Sequence, residues 1–384
     1  MRKSIAALNA VRVDRSAVPS SHFERLICCN GRIILPPFPG LKLFNFMNNM
    51  DRRTFFQRAG LAGLSLWAVG SGANRVMADP DPAPGAGNAA AAAGSPDADI
   101  YSFQLGDADA FVILDGQFTL PSIQPMFVPE AKPAELEELL KKSFLPNHVA
   151  LSLNVLVVKA KSGIMLFDAG AGGAFGPAAG KLMRGLARVG IAPGDVKVVY
   201  VTHAHSDHIA GLVDDANNPV FSSARIVAAK PEVDFWTADA PDLSGMRTPP
   251  DMTTQLAATI KKTLNGLKPK LELKQPGALS PEVEMIAAPG HTPGHSLFSL
   301  TVGGEKLLVF GDSVHLHALQ FPHPEWTMAF DVDPAKAIAT RRKLFKQVAA
   351  ERTMCLGFHM PFPGVGHVRA AGQGYEWVPK PWVA

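Results

Sequence analysis

The sequence is poor in thiols. Its 384 residues include three cysteines, of which Cys28 and Cys29 lie in an N-terminal stretch and only Cys355 in the body. A lone body cysteine forms no internal disulfide, and it leaves a thiolate metal site short of ligands. Any bound metal must therefore be held by imidazole and carboxylate. Long apolar runs are scarce as well: Ala59 to Val69 is too short to anchor a chain stably in a bilayer. There is no Gly-x-Ser-x-Gly elbow to present a serine nucleophile. Basic charge is thin where a polyanion-binding protein would need it. Of the 37 basic and 34 acidic residues, 11 and 3 fall in residues 1–78, so that segment carries +8 and the remainder −5. An acidic body offers a phosphate backbone no electrostatic footing, and nucleic acid is not expected as a partner.

What the N-terminal segment does contain is an address. Arg52-Arg53 precedes Thr54-Phe55-Phe56, the apolar run follows, and Val76-Met77-Ala78 has the small-residue spacing of a signal-peptidase site. Residues 47–78 resemble a twin-arginine export signal, which implies a periplasmic or secreted protein. Met47 and Met50 both stand just before the arginine pair. Translation is expected to start at one of them, with residues 1–46 a mis-assigned upstream extension. Residues 79–98, rich in Pro, Gly and Ala, read as a flexible linker. The domain proper is expected over 99–384.

Within that body, short apolar runs alternate with helical stretches. Strands are expected at Phe111–Leu114, Val196–Val201, Arg225–Ala228, Val283–Ala287, Leu297–Val302, Lys306–Phe310 and Thr353–Leu356. A hairpin is expected from Asn154–Lys159 to Ile164–Phe167, across Lys161-Ser162-Gly163. Helices are expected at Ala134–Lys142, Gly180–Val189, from Pro231, at Met252–Leu264 and at Pro334–Val348. The His/Asp clusters fall just after strand-like runs, at Val201, Ala287, Phe310 and Leu356. Loops at strand ends are where mixed α and β proteins gather their sites.

The strongest signal is Thr202-His203-Ala204-His205-Ser206-Asp207-His208, which sets four metal-ligand side chains within six positions of a chain that has 12 histidines in all. Neutral imidazole and carboxylate suit zinc first, and manganese, iron or cobalt next. The segment resembles the HxHxDH motif of the metallo-β-lactamase superfamily, and later segments fit that family in order: His291 in Pro289-Gly290-His291, Asp312 after Gly311, and His359 in Gly357-Phe358-His359. The resemblance implies an α/β fold, an αββα sandwich of two mixed β-sheets flanked by helices. It also implies two divalent metal ions. His203, His205 and His291 would hold one, and Asp207, His208 and His359 the other. Asp312 would bridge them together with a hydroxide that attacks an ester substrate, making Asp207 and Asp312 the catalytic carboxylates. Asp168, in Asp168-Ala169-Gly170, matches a family aspartate that orients a ligating histidine.

Asp312 itself speaks against a true β-lactamase, since those enzymes generally lack the bridging aspartate. Several stretches are similar to the methyl parathion hydrolase-like branch: Ser143-Phe144-Leu145-Pro146, Phe175-Gly176-Pro177, Asp234-Phe235-Trp236 and Pro361-Phe362-Pro363-Gly364-Val365. That likeness implies a small-molecule substrate, either a phosphotriester or a lactone or aryl ester. It also implies an aromatic wall of Phe175 and Trp236 around the leaving group. Acyl-homoserine-lactone-type lactonase is the alternative activity, and the resembled enzymes are often homodimers. A non-catalytic metal-binding protein on the same fold is a third reading, at odds with a complete ligand set. Of the remaining histidines, His295 reads as a supporting group. His315 and His317 either line the site or belong to polar loops. His148, His323 and His367 read as structural or surface residues.

Overall fold

The computed structural model describes residues 98–381 and a two-residue antiparallel ladder that pairs Cys28–Cys29 with Arg32–Ile33. That ladder belongs to a separate unit, residues 1–65. The expected export signal, and all but the last residue of the linker, lie outside the described residues. Among the described residues no helix is long and apolar enough to cross a membrane.

The body holds two seven-stranded sheets. The first consists of β1 (Ile100–Leu105), β2 (Ala108–Leu120), β3 (Val149–Ala160), β4 (Gly163–Phe167), β5 (Val196–Val201), β6 (Arg225–Ala229) and β7 (Leu271–Lys274), neighbours in that order. Strands β1 to β4 pair antiparallel and β4 to β7 parallel. The second sheet runs β8 (Gly277–Ala278), β9 (Val283–Ala287), β10 (Ser296–Val302), β11 (Glu305–Val309), β12 (Met354–Leu356), β13 (Val365–Ala371) and β14 (Gly374–Pro379). There only the β11–β12 pair is parallel.

Strand β3 shows why the sheets stack. Successive side chains of a strand point to opposite faces. Leu156 and Val158 enter a core shared with Phe298, Leu300 and Leu307 of the second sheet. Val155 and Val157 enter a core on the other face. A strand buried on both sides reads as a continuous apolar run rather than an alternation. The outer core of the first sheet takes in Leu182 and Leu186 of α2 (Leu182–Arg188). Val233 and Trp236 of α4 (Lys230–Thr237) join it, with Ile260 and Leu264 of α5 (Pro250–Leu267). On the far side, Leu344, Phe345 and Val348 of α7 (Pro334–Glu351) cover Leu308 and Cys355 of the second sheet. The order helix, sheet, sheet, helix is the sandwich the motifs implied. Three short helices complete it: α1 (Pro133–Lys142), α3 (Ser206–Ile209) and α6 (His317–Gln320).

Several elements depart from expectation; β1, β7 and β8, for instance, are not among the expected strands. The strand read as Phe111–Leu114 extends over Ala108–Leu120, with a bulge between Leu114 and Gly116 that breaks the apolar pattern. The bulge turns Asp115 inward, and its carboxylate accepts the N–H groups of Ala171, Gly180 and Leu182 at 2.8–3.1 Å. The hairpin of β13 and β14 carries no clear sequence signal, because buried, half-buried and exposed residues mix along it without a regular alternation.

Candidate metal centre

Strand ends deliver the site. Thr202 leaves β5 and is followed by His203 and His205, with Asp207 and His208 in α3. The β9–β10 connection carries His291 and His295, the end of β11 carries Asp312, and the end of β12 carries His359. These seven expected ligands meet. His203, His205, His291 and Asp312 offer ligand atoms within 4.8 Å of one another, as do Asp207, His208 and His359. Asp312 stands between the two sets. Its Oδ2 is 3.6 Å from His203 Nε2, 3.3 Å from His291 Nε2 and 3.2 Å from His359 Nε2, and its Oδ1 is 3.1 Å from His208 Nε2. All seven side chains are at most 5% exposed except Asp207, at 16%.

Buried polar atoms without a hydrogen-bond partner test whether a metal fits. His203 Nε2, His208 Nε2 and Asp312 Oδ1 are all such atoms, and all point into the cluster's short contacts. Buried polar groups are otherwise satisfied in native proteins. Imidazole nitrogen with carboxylate oxygen is the donor set of a divalent transition metal. The residues present therefore fit a binuclear divalent metal site.

The other face of each ligand is braced. Asp168, held at φ +61°, accepts Thr202 N–H at 2.7 Å, Thr202 Oγ1–H at 2.8 Å and His208 Nδ1–H at 2.8 Å. Its orienting position is the one the resemblance implied. Asp331 does the same for His291, with Oδ1 2.9 Å from Nδ1. His359 Nδ1 lies 3.0 Å from the Ser152 carbonyl oxygen. His295 is indeed a supporting group: Nδ1 donates to Ala288 O at 3.2 Å and Nε2 accepts the Asp312 backbone N–H at 3.0 Å. Gly311 makes that approach feasible, since a Cβ there would stand 2.7 Å from His295 Nε2 at φ +50°.

Charge is distributed unevenly. Burial comes first for His203 and His205, and with the neighbouring histidines it holds both well below the usual imidazole range. Burial also opposes charge on His291, yet Asp312 and Asp331 raise it to about 9. For His359 burial is again outweighed, by Asp312 and Asp207, to about 9. His208 lies well above its ordinary value because Asp312, Asp207 and Asp168 overcome its burial. Against its own burial, Asp207 is drawn down to about 2 by His208 and His359.

The remaining histidines and the two aromatic residues divide. His315 joins the centre: Nε2 is 3.0 Å from Asp312 Oδ2, and it shares a ligand grouping with Asp312 and His359. His317, half-buried at the start of α6, is in none of these groupings. His148 is exposed, His367 is half-buried, and His323 stacks on Trp326 at 4.0 Å. Trp236 corrects the aromatic-wall expectation. At 1% exposure it faces no open space, and its ring packs 5.7 Å from that of His205, behind the ligand. Phe175 is half-buried, 5.5 Å from Phe118. Asp331 and Glu232 carry no sequence signature, because acidic residues in a loop and a first helical turn are commonplace.

The profile of the Metallo-beta-lactamase superfamily matches residues 149–359, more than half the chain. The chain belongs to this superfamily. As a metallo-β-lactamase-fold protein with this centre, it is a metal-dependent hydrolase. Among solved structures it is similar to AidC, a dizinc quorum-quenching lactonase in complex with a product. That match has 31% identity and a TM-score of 0.71, and covers 74% of this chain and 98% of AidC. The hydrolase AbOPH of the beta lactamase superfamily is similar at 30% identity and a TM-score of 0.68, covering 74% of this chain and 98% of that one. A probable metal-dependent hydrolase from Staphylococcus aureus shares the fold at 20% identity and a TM-score of 0.58, covering 73% and 100%. No curated protein matches the chain.

Proposed function

We propose that this hydrolase opens lactones and cleaves activated esters at a two-metal centre, with a lactone as the first candidate substrate. The observation that carries the reading is the Asp312 carboxylate, which presents its two oxygens to both histidine sets at 3.1–3.6 Å. Two divalent cations, zinc foremost with manganese, iron and cobalt as alternatives, would supply Lewis acidity that lowers the pKa of water and polarises the ester oxygen.

The chain's own residues do the rest. His203, His205 and His291 would hold one ion, Asp207, His208 and His359 the other, and Asp312 both. Asp207 is the least buried of the seven and marks the side from which substrate approaches. Held ionised, it orients the attacking water by accepting its hydrogen bond. No side chain serves as a covalent nucleophile. The 31%-identical dizinc lactonase supports the lactone choice. A phosphotriester is the second reading, favoured by the likeness of the segments at 143–146 and 361–365 to the methyl parathion hydrolase-like branch. Its P=O oxygen would take the place of the lactone carbonyl. The arginine-pair leader supports action outside the cytoplasm.

The test is turnover by metal-quantified protein of an acyl-homoserine lactone, a paraoxon-like triester and a nitrophenyl ester, each with and without chelator. The lactone is expected to give the highest kcat/KM, abolished by chelator. A faster triester would shift the assignment to the second reading. No chelator-sensitive hydrolysis of any of the three would overturn both.

A further inference from the structure

Glu232 is 1% exposed although it lies in the first turn of α4, where an acidic side chain ordinarily faces water. Among the described residues no cation pairs with it. Its carboxylate instead collects four donors. Oε1 accepts the Ala204 N–H at 2.8 Å and the Trp236 Nε1–H at 2.9 Å, and Oε2 accepts the Thr292 Oγ1–H at 2.6 Å and the Gly294 N–H at 3.0 Å. Ala204 lies between His203 and His205, while Thr292 follows His291. The carboxylate thus ties the loop leaving β5 in the first sheet to the loop between β9 and β10 in the second. Those two loops supply every histidine of one metal set. Gly294 shows how closely they are drawn in, since a Cβ there would stand 2.1 Å from Glu232 N. The tethered indole of Trp236 in turn backs the His205 ring.

We infer that Glu232 is a positioning residue that presets His203, His205 and His291 for one of the two metal ions, while the other set is braced separately, by Asp168 on His208. The inference rests on the two-metal reading above. An acid or amide would not serve equally. Three of the four donors are N–H groups that cannot reverse, and both carboxylate oxygens face at least one of them. A glutamine would turn its own NH2 toward a backbone or indole N–H and leave buried donors unpaired.

The experiment titrates zinc against a competing chelator with the full chain and its Glu232→Gln variant, counts ions by elemental analysis, and follows cobalt substitution by its visible absorption. The variant is expected to bind one ion as the wild type does and the second about 10- to 100-fold more weakly, the range of a lost outer hydrogen bond to a metal ligand. Thr292→Val and Trp236→Phe each remove one donor and keep the carboxylate. They are expected to weaken the same ion by less, and they decide the matter if Glu232→Gln does not fold. Two ions at wild-type affinity in a folded Glu232→Gln protein, or in both donor variants when that one fails to fold, would overturn the assignment alone. Fewer than two ions in the wild type would instead overturn the two-metal reading.

Discussion

The two ligand sets are built differently. The set of His203, His205 and His291 is at most 5% exposed, and carboxylates brace it from outside, Asp331 on His291 and Glu232 on the loops. The set of Asp207, His208 and His359 has one strong outside brace, Asp168 on His208, while His359 rests on a backbone carbonyl and Asp207 reaches the surface. A preset, enclosed set suits an ion that stays put. A looser set with a partly exposed carboxylate suits the ion nearer the substrate. The contrast makes the sets separable by mutation, and it gives Asp312, shared by both, the largest effect of all.

Asp312→Ala should therefore do the most damage. Metal content is expected to fall below one ion per chain and turnover by on the order of 10³, beyond the 10- to 100-fold of a lost outer contact; elemental analysis and steady-state kinetics check both. Next come the single braces. Asp168→Asn is expected to weaken the ion at His208, and Asp331→Asn the ion at His291, each by about 10- to 100-fold. Cobalt-substituted samples should lose different absorption components in the two variants. Identical losses would break the comparison.

A pH series sharpens it further. In chelated protein, His291 and His359 sit at about 9 against an ordinary 6.5. Their folded values are raised, so the stability they contribute is complete below about pH 6.5 and is lost as pH rises through 9. His295 at about 3 and His315 at about 4 are depressed. The unfolded chain then takes up protons first, and stability falls as pH drops from 6.5 toward 4. Melting of chelated protein should peak near pH 6.5. Metal-loaded protein should lose the alkaline decline, because its ligands are already deprotonated. A chelated protein that gains stability from pH 7 to 9 would contradict this. The smallest effect belongs to Phe144, which is 94% exposed. Phe144→Ser should change stability by no more than about 0.5 kcal/mol in denaturant unfolding and leave both ions bound.

Much of the centre was readable in the sequence because metal ligands must be histidine or aspartate and must sit where strands end. His203, His205, Asp207 and His208 occupy one short turn, and Asp168 follows β4 directly. The braces at Glu232 and Asp331 were not readable. Each acts across a gap of 28 to 62 residues or 40 residues, on backbone groups or a ring nitrogen that leave no local pattern. Trp236 misled for the related reason that an aromatic residue near a motif looks the same whether it faces substrate or packs behind a ligand. The sheets were visible where both faces are buried, as in β3, and were lost where a bulge or half-exposure broke the alternation, as in β2 and β14.

Where the cations bind is the most direct test of the two-metal centre. Anomalous scattering from a crystal of the metal-loaded chain should give two peaks, one among His203, His205 and His291 and one among Asp207, His208 and His359, with Asp312 touching both. A single peak, or peaks away from Asp312, would contradict it.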